Sequence, residues 1–395
     1  MAKGSKVHPM LNFLLLFKRE FLRMAARPVY WFVMVIAPLG IYAFFVLLMQ
    51  RGLPSELPIG LVDLDRTATT RSIARNLDAF QRTKITASYA NISDARRAMQ
   101  RGDIYAFFLI PEGTTRHANR QEQATVSFYV NYSYLIAASL SYQDLRMMSE
   151  LASGAAARKI LLAKGATEAQ AIAYLQPVVM DTHPLNNPWL NYNVYLSNTI
   201  IPGMLLLFVS LLTAYSLGTE IKDGTAHEWM VLAGGSIKKA VWVKLVPQFT
   251  IFWLMGAVYV LLLYAVLHFP CHCGIPTMLG AMTMLILAGQ GLGIFFFALL
   301  PSLRMSMSLC SLWGVLSFSM CGMSYSVMAM HPAVQGMSLL FPLRHYFLIY
   351  VNNALDGFPW QYATWNYLAL FLFAFLPILL MPRLKYSVLN YKYVP

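Results

Sequence analysis

The sequence predicts a mainly α-helical polytopic membrane protein with six transmembrane helices and an inserted α/β extracytoplasmic domain. Three observations carry this. The 395 residues are 58% hydrophobic and 12% charged, against about a quarter charged in soluble domains. Six apolar runs, Pro28–Met49, Leu196–Leu217, Pro247–His268, Thr277–Leu300, Met305–Met330 and Tyr362–Met381, contain no Asp, Glu, Lys or Arg. Each has about the 20 residues or more that a helix needs to cross a bilayer core. Residues 50–195 are instead hydrophilic, with 15 basic and 12 acidic side chains, and are long enough to bury a core of their own.

Within residues 1–27, Met10, Phe13, Leu14, Phe17, Phe21 and Met24 recur at helical spacing, while Lys18, Arg19 and Arg23 lie off that stripe. This predicts an amphipathic helix on the membrane surface. The first apolar run is too long for the core of a cleaved signal peptide and lacks a small-x-small site, so it is expected to stay as an anchor. Lys and Arg in short flanks resist translocation. Residues 1–27 carry six (Lys3, Lys6, Lys18, Arg19, Arg23, Arg27), and six spans then place Lys222, Lys238, Lys239, Lys244, Arg304, Arg383, Lys385 and Lys392 on the same, cytoplasmic side. The short outer loops 269–276 and 331–361 hold only Arg344. Topology thus accounts for much of the net charge of +13, with no nucleic acid as partner.

In the insertion, "LPIGLVDLD" reads as a strand followed by a helix through Ile73, Ala74, Leu77 and Phe80, and "KITASY" as a second strand. Ser93 is expected to cap a short helix that stops at Gly102. "IYAFFLIP" and "TVSFYVN" suit buried strands, and Tyr134–Lys164 a long helix. The loop 186–195 brings Trp189 and Tyr192 to interfacial depth.

Residues 218–249 interrupt the apolar pattern with three acids and four lysines. Asp223 or Thr225 can cap a short helix "AHEWMVLA", in which Trp229, Met230 and Ala233 share a face, and Gly234-Gly235 end it. Ser236 can cap the next helix, from which Lys238, Lys239 and Lys244 are expected to reach the anionic interface before Pro247 opens the third span.

Here the chain resembles the permease subunits of type-2 ATP-binding-cassette (ABC) exporters. The matching pattern is Glu220-x-x-x-Gly224-Thr225, an apolar short helix, then Lys244-x-x-Pro247. Lys18-Arg19-Glu20, Pro38, "VDLDRTATTRSIARNLDAF", Asn187-Pro188, Pro202-Gly203 and "FPLRHYFLIYVNNALDG" follow the family's order. The family usually has a proline after the coupling helix, where this chain reads Gly234-Gly235-Ser236.

The resemblance implies a cytoplasmic connecting helix within 1–27, a span at 28–49, a periplasmic domain at 50–195, and five further spans within 196–395. It implies a coupling helix at 225–233 and outer re-entrant helices at 331–358. It assigns ATPase coupling to Glu220, Gly224, Thr225, His227, Glu228, Trp229, Met230 and Lys244, and the connecting helix to Phe17, Lys18, Arg19 and Glu20. The implied partners are cytoplasmic ABC ATPase subunits, a second permease copy or paralogue, membrane lipids and a periplasmic adaptor, in a bacterial inner membrane with both termini cytoplasmic.

The sequence contains no G-x-x-x-x-G-K-[ST] loop, so ATP and Mg are expected on a partner polypeptide and no cofactor in this chain. The spans hold no Asp, Glu, Lys or Arg of the kind a proton-driven carrier places in the bilayer, only Gln290 and the edge residue His268. Cys271, His272 and Cys273, with His268, could ligate a soft metal or simply form a turn with oxidisable thiols. Asp63, Asp65, His117 and His183 form no recognised nucleophile pattern. The expected function is export of an apolar or amphiphilic cargo by an ATP-driven permease that is not itself catalytic. The alternatives are a mechanotransmission scaffold acting through 50–195 and, more remotely, a membrane-bound enzyme.

Overall fold

The structure, a computed structural model, describes residues 9–120 and 122–391, with side chains from Leu15 onward in the first helix. Lys3, Lys6, Lys392 and the side chains of Met10, Phe13 and Leu14 lie outside the described residues. The chain divides into two compact units, a helical one of Met1–Gln50 with Leu185–Pro395 and a sheet unit of Arg51–Pro184.

In the helical unit, Pro9–Ala26 forms the first helix. Arg27 is extended, as a residue before proline must be, and breaks it from the next. Among the described residues, five helices are long and apolar enough to cross a membrane: Pro28–Leu48, Tyr192–Lys222, Ile237–Val266, Ile275–Leu299 and Trp360–Asn390. The expected run Met305–Met330 differs. Its helix is only Leu303–Met320, contains five serines and Arg304, and stops at Cys321 and the positive-φ Gly322. It falls outside the five by apolarity, although 18 residues extend about 27 Å. Residues 331–358 then form the short helices Pro332–Ser338 and Pro342–Ile349, the latter running into a wider π turn, Tyr350–Leu355.

Tyr192–Lys222 and Ile275–Leu299 make the centre of this unit: 67% and 72% of their apolar windows are buried, against 17% for Pro28–Leu48 and 22% for Trp360–Asn390. Glycine permits the close approach. A Cβ on Gly293 would stand 2.6 Å from Ser210 O, and one on Gly291 would overlap Phe373 O. Buried hydroxyls then find acceptors between helices: Tyr264 donates to Asn198 Oδ1 at 2.7 Å and Tyr259 to Ser197 O at 3.2 Å.

The sheet unit has strands β1 (Leu57–Asp63), β2 (Thr83–Ser88), β3 (Ala106–Ile110) and β4 (Ser127–Val130), in the order β2-β1-β3-β4. β1 is parallel to β2 and β3, and β4 is antiparallel to β3. Strand alternation sends Ile59, Leu61 and Phe108 to one face with Leu77 and Leu145, and Val62 and Phe107 to the other with Ala95 and Ala98. The strands and the helices Ala68–Asp78 and Leu135–Ala163 lie where the sequence places them. Two readings change. Asn91, not Ser93, caps Ile92–Arg101, accepting from Asp94 N at 2.8 Å. The unit ends at Pro184 instead of residue 195, because Asn187 and Asn191 bond reciprocally and Asn191 caps the helix Tyr192–Lys222.

Candidate functional site

At one end of the helical unit, Glu220 occupies the last turn of Tyr192–Lys222 with no exposed surface. Its carboxylate accepts Arg19 at 3.1 Å, Lys244 at 2.6 Å, the Thr225 hydroxyl at 2.5 Å, and Arg23. Lys244, itself 1% exposed, also donates to Glu20 at 2.6 Å and lies 5.0 Å from the centre of the Trp229 ring. Arg19 donates to Glu20 at 2.5 Å. Further out, Asp223 takes Arg23 at 2.5 Å and Arg27. Four cations and three carboxylates from three segments, distant in sequence, thus form one cluster.

The local sequence explains the convergence. Arg19, Arg23 and Arg27 are spaced four apart, so the first two lie on one helix face. Leu16, Glu20 and Met24 are buried on the protein side, whereas Phe17, Lys18 and Phe21 are exposed. The expected stripe is therefore split, with Met24 inward and Phe17 and Phe21 outward. Glu220 and Asp223 sit three apart at the end of their helix, and Gly224 takes positive φ to turn the chain back. Thr225 N bonds Glu220 O at 3.0 Å and its hydroxyl bonds the Glu220 carboxylate instead of capping the next helix. The Glu-x-x-x-Gly-Thr spacing is thereby a physical unit: acid, left-handed turn, hydroxyl back to the acid. Burial works against the charge on Asp223, but bonds from Arg27 and Arg23 hold its carboxyl below the ordinary range.

The short helix is Ala226–Leu232. Ala226, Trp229, Met230 and Ala233 are buried against Leu16, Ile237, Phe297 and Leu384. Its exposed face carries His227, Glu228 and Val231, followed by Gly234 and Gly235 at φ 67° and 74°. Trp229 and Met230 therefore hold the helix in place and are not on its free face. The expectation that Lys244 reaches an anionic interface is corrected: two carboxylates draw it inside, while Lys238 and Lys239 remain exposed. By sequence alone, Arg23 and Arg27 count as topology charges and Asp223 as a helix cap. Their partnership could have been suspected from the matched spacings, four on one segment and three on the other.

The other candidates do not assemble a site. Asp63 is occupied by Asp65 N, Arg66 N and the Thr70 hydroxyl, and Asp65 by Gly113 N and Thr115 N. His117 pairs with Glu122 and His183 with Asp181 on exposed ground. Cys271 and Cys273 sulfurs stand 3.8 Å apart, but among the described residues no three His, Cys, Asp or Glu side chains gather as metal ligands.

The family described as ABC-2 family transporter protein matches residues 28–381. No curated protein matches the chain. The matched region spans the first four membrane-length helices, the sheet unit and most of the fifth helix, Trp360–Asn390, and includes Glu220, Asp223 and Lys244 but not Arg19, Glu20 or Arg23. The chain belongs to the ABC-2 transporter family and is the membrane-spanning permease component of an ABC transporter.

Proposed function

We propose that this permease exports an apolar or amphiphilic cargo, such as a drug-like molecule or lipid, driven by separate cytoplasmic ABC ATPase subunits that dock on the exposed face of Ala226–Leu232. The observation that carries the reading is the burial of Trp229 beneath that helix beside the Glu220 cluster. A docked partner pressing on His227, Glu228 and Val231 pushes a body fixed to Pro9–Ala26, Tyr192–Lys222 and the helix bearing Lys244. Movement of the partner is then passed to several helices together, as a rigid-body transition requires. The ATPases bind ATP and Mg. A second permease copy or paralogue completes the path, and the Glu220 end faces the cytoplasm of a bacterial inner membrane. Uncharged spans favour a cargo without a fixed ionic charge.

The test is affinity purification from mild detergent, followed by identification of co-purifying chains. Glu228→Arg and Val231→Asp should lose an ABC ATPase while keeping the wild-type unfolding midpoint. Trp229→Ala should lose both. Failure to recover any ABC ATPase from wild type, even after cross-linking, would sink the proposal.

The sheet unit, with a core on each face of β1 and β3, supports a second reading in which it transmits force to an envelope partner or periplasmic adaptor. ATP turnover of the reconstituted complex would then respond to that partner and to no cargo.

A further inference from the structure

The Glu220 end of the helical unit carries more positive charge than its own acids neutralise. From Trp229 to Pro395 the only acid is Asp356. Three carboxylates, Glu20, Glu220 and Asp223, are already held by Arg19, Arg23, Arg27 and Lys244. Arg304 and Arg383, by contrast, form no ion pair among the described residues, although both are exposed.

Arg383 lines a cleft of about 380 Å³, in the size range of small-molecule sites. Its walls are the end of Tyr192–Lys222 (Gly218, Ile221), the loop and first turn from Leu299 to Met305, and the C-terminal segment through Arg383 and Tyr391. Arg383 donates one bond to Leu299 O at 2.9 Å, and a guanidinium has five N–H donors. The rest of the lining is mostly apolar: Leu300, Pro301, Leu303 and Met305, with the Ser302 hydroxyl among them. A ligand suited to this cleft is an amphiphile with a compact anion.

Position selects among amphiphiles. Tyr192–Lys222 and Ile275–Leu299 are membrane-length helices whose ends meet the cleft, and Arg383 sits in the last membrane-length stretch, Trp360–Asn390. Helices of this length end at headgroup depth, where unpaired Arg and Lys attract anionic lipid. We propose that the cleft binds the phosphate headgroup of an anionic phospholipid from the adjoining leaflet, with Arg383 as the anchoring cation and the apolar walls receiving the start of an acyl chain. The site is independent of ATPase docking, since none of His227, Glu228 and Val231 lines it.

The test uses the full-length purified protein with phosphatidylglycerol or phosphatidylcholine, reading retained lipid by native mass spectrometry. Wild type should retain phosphatidylglycerol preferentially. Arg383→Gln should lower that retention about fivefold, the effect expected for one interfacial cation. Lys239→Gln, the same charge change outside the cleft, should leave it near wild type. Met305→Trp, which fills the cleft with Arg383 intact, should also abolish the preference, and it carries the test if Arg383→Gln unfolds. Unchanged retention in Met305→Trp overturns the site. Displacement of the lipid by millimolar inorganic phosphate, but not by chloride at equal ionic strength, would identify a free-phosphate site and overturn the lipid assignment.

Discussion

Each unit of this protein contains constrained carboxylates, and the two units hold theirs in opposite ways. In the helical unit, Glu220 is surrounded by side-chain cations, and Arg19 and Arg23 reach it from about 200 positions away in the chain. In the sheet unit, Asp65 is held by backbone N–H groups of Gly113 at 2.8 Å and Thr115 at 2.9 Å, and Asp63 by its own following turn. A carboxylate held by backbone N–H groups and nearby threonine hydroxyls pins a loop and draws in no side-chain cation. One held by side-chain cations joins several helices, and removing it leaves those cations short of a carboxylate. The first arrangement suits a fixed scaffold and the second a joint through which motion passes.

The largest effect should therefore come from Glu220→Gln, which removes the carboxylate that Arg19, Arg23 and Lys244 share and leaves only Glu20 and Asp223 to face them and Arg27. We expect a loss of about 3–5 kcal/mol, as for other broken buried ion pairs, seen as a lowered unfolding midpoint in detergent. A loss below about 1 kcal/mol would mean that the cations find water and the cluster is not a joint. Lys244→Met should cost less, about 1.5–3 kcal/mol, because Glu220 keeps both arginines and Glu20 keeps Arg19. Equal costs for the two variants would make the ammonium, not the carboxylate, the centre of the cluster.

Asp65→Asn should have a smaller effect confined to the sheet unit, read as hydrogen-exchange protection of residues 59–63 and 106–110. The Thr115 hydroxyl and backbone N–H, with Gly113 N–H, hold the Asp65 carboxyl below its ordinary range. A group whose folded pKa is depressed stabilises the fold above its unfolded pKa and loses that contribution as pH falls through the folded one. Protection in wild type should thus decline below about pH 4, more steeply than in Asp65→Asn. Identical pH profiles would show that the turn does not depend on the charge. Smallest of all, Arg146→Ala breaks an exposed pair with Glu150 and should leave the midpoint unchanged within error.

Much of the architecture was legible because it is written in short-range pattern. Apolar runs located the five membrane-length helices, and short apolar runs bounded by turn residues located β1 through β4. Gly102 and Gly234-Gly235 mark helix ends as a left-handed residue should. The reading strayed where polarity interrupts pattern. Serines and Arg304 lower the apolarity of the helix Leu303–Met320, Cys321 and Gly322 end it short of the expected Met330, and Asn187 with Asn191 moves the boundary of the sheet unit to Pro184. At the candidate site, the Glu220-x-x-x-Gly224-Thr225 and Lys244-x-x-Pro247 spacings were visible, but their meaning was not.

The sequence by itself determined that the chain enters a membrane, carries one inserted α/β unit and breaks its apolar pattern at 218–249, because hydropathy and helical period are properties of neighbours in the chain. Only the tertiary structure decided that Lys244 turns inward, that Trp229 is a support and not a contact surface, and that Arg19 and Arg23 share Glu220. A lysine in an amphipathic stretch is as compatible with water as with a buried partner. Which of the two it meets depends on a carboxylate 24 positions away and another 224 positions away, and no local period records that distance.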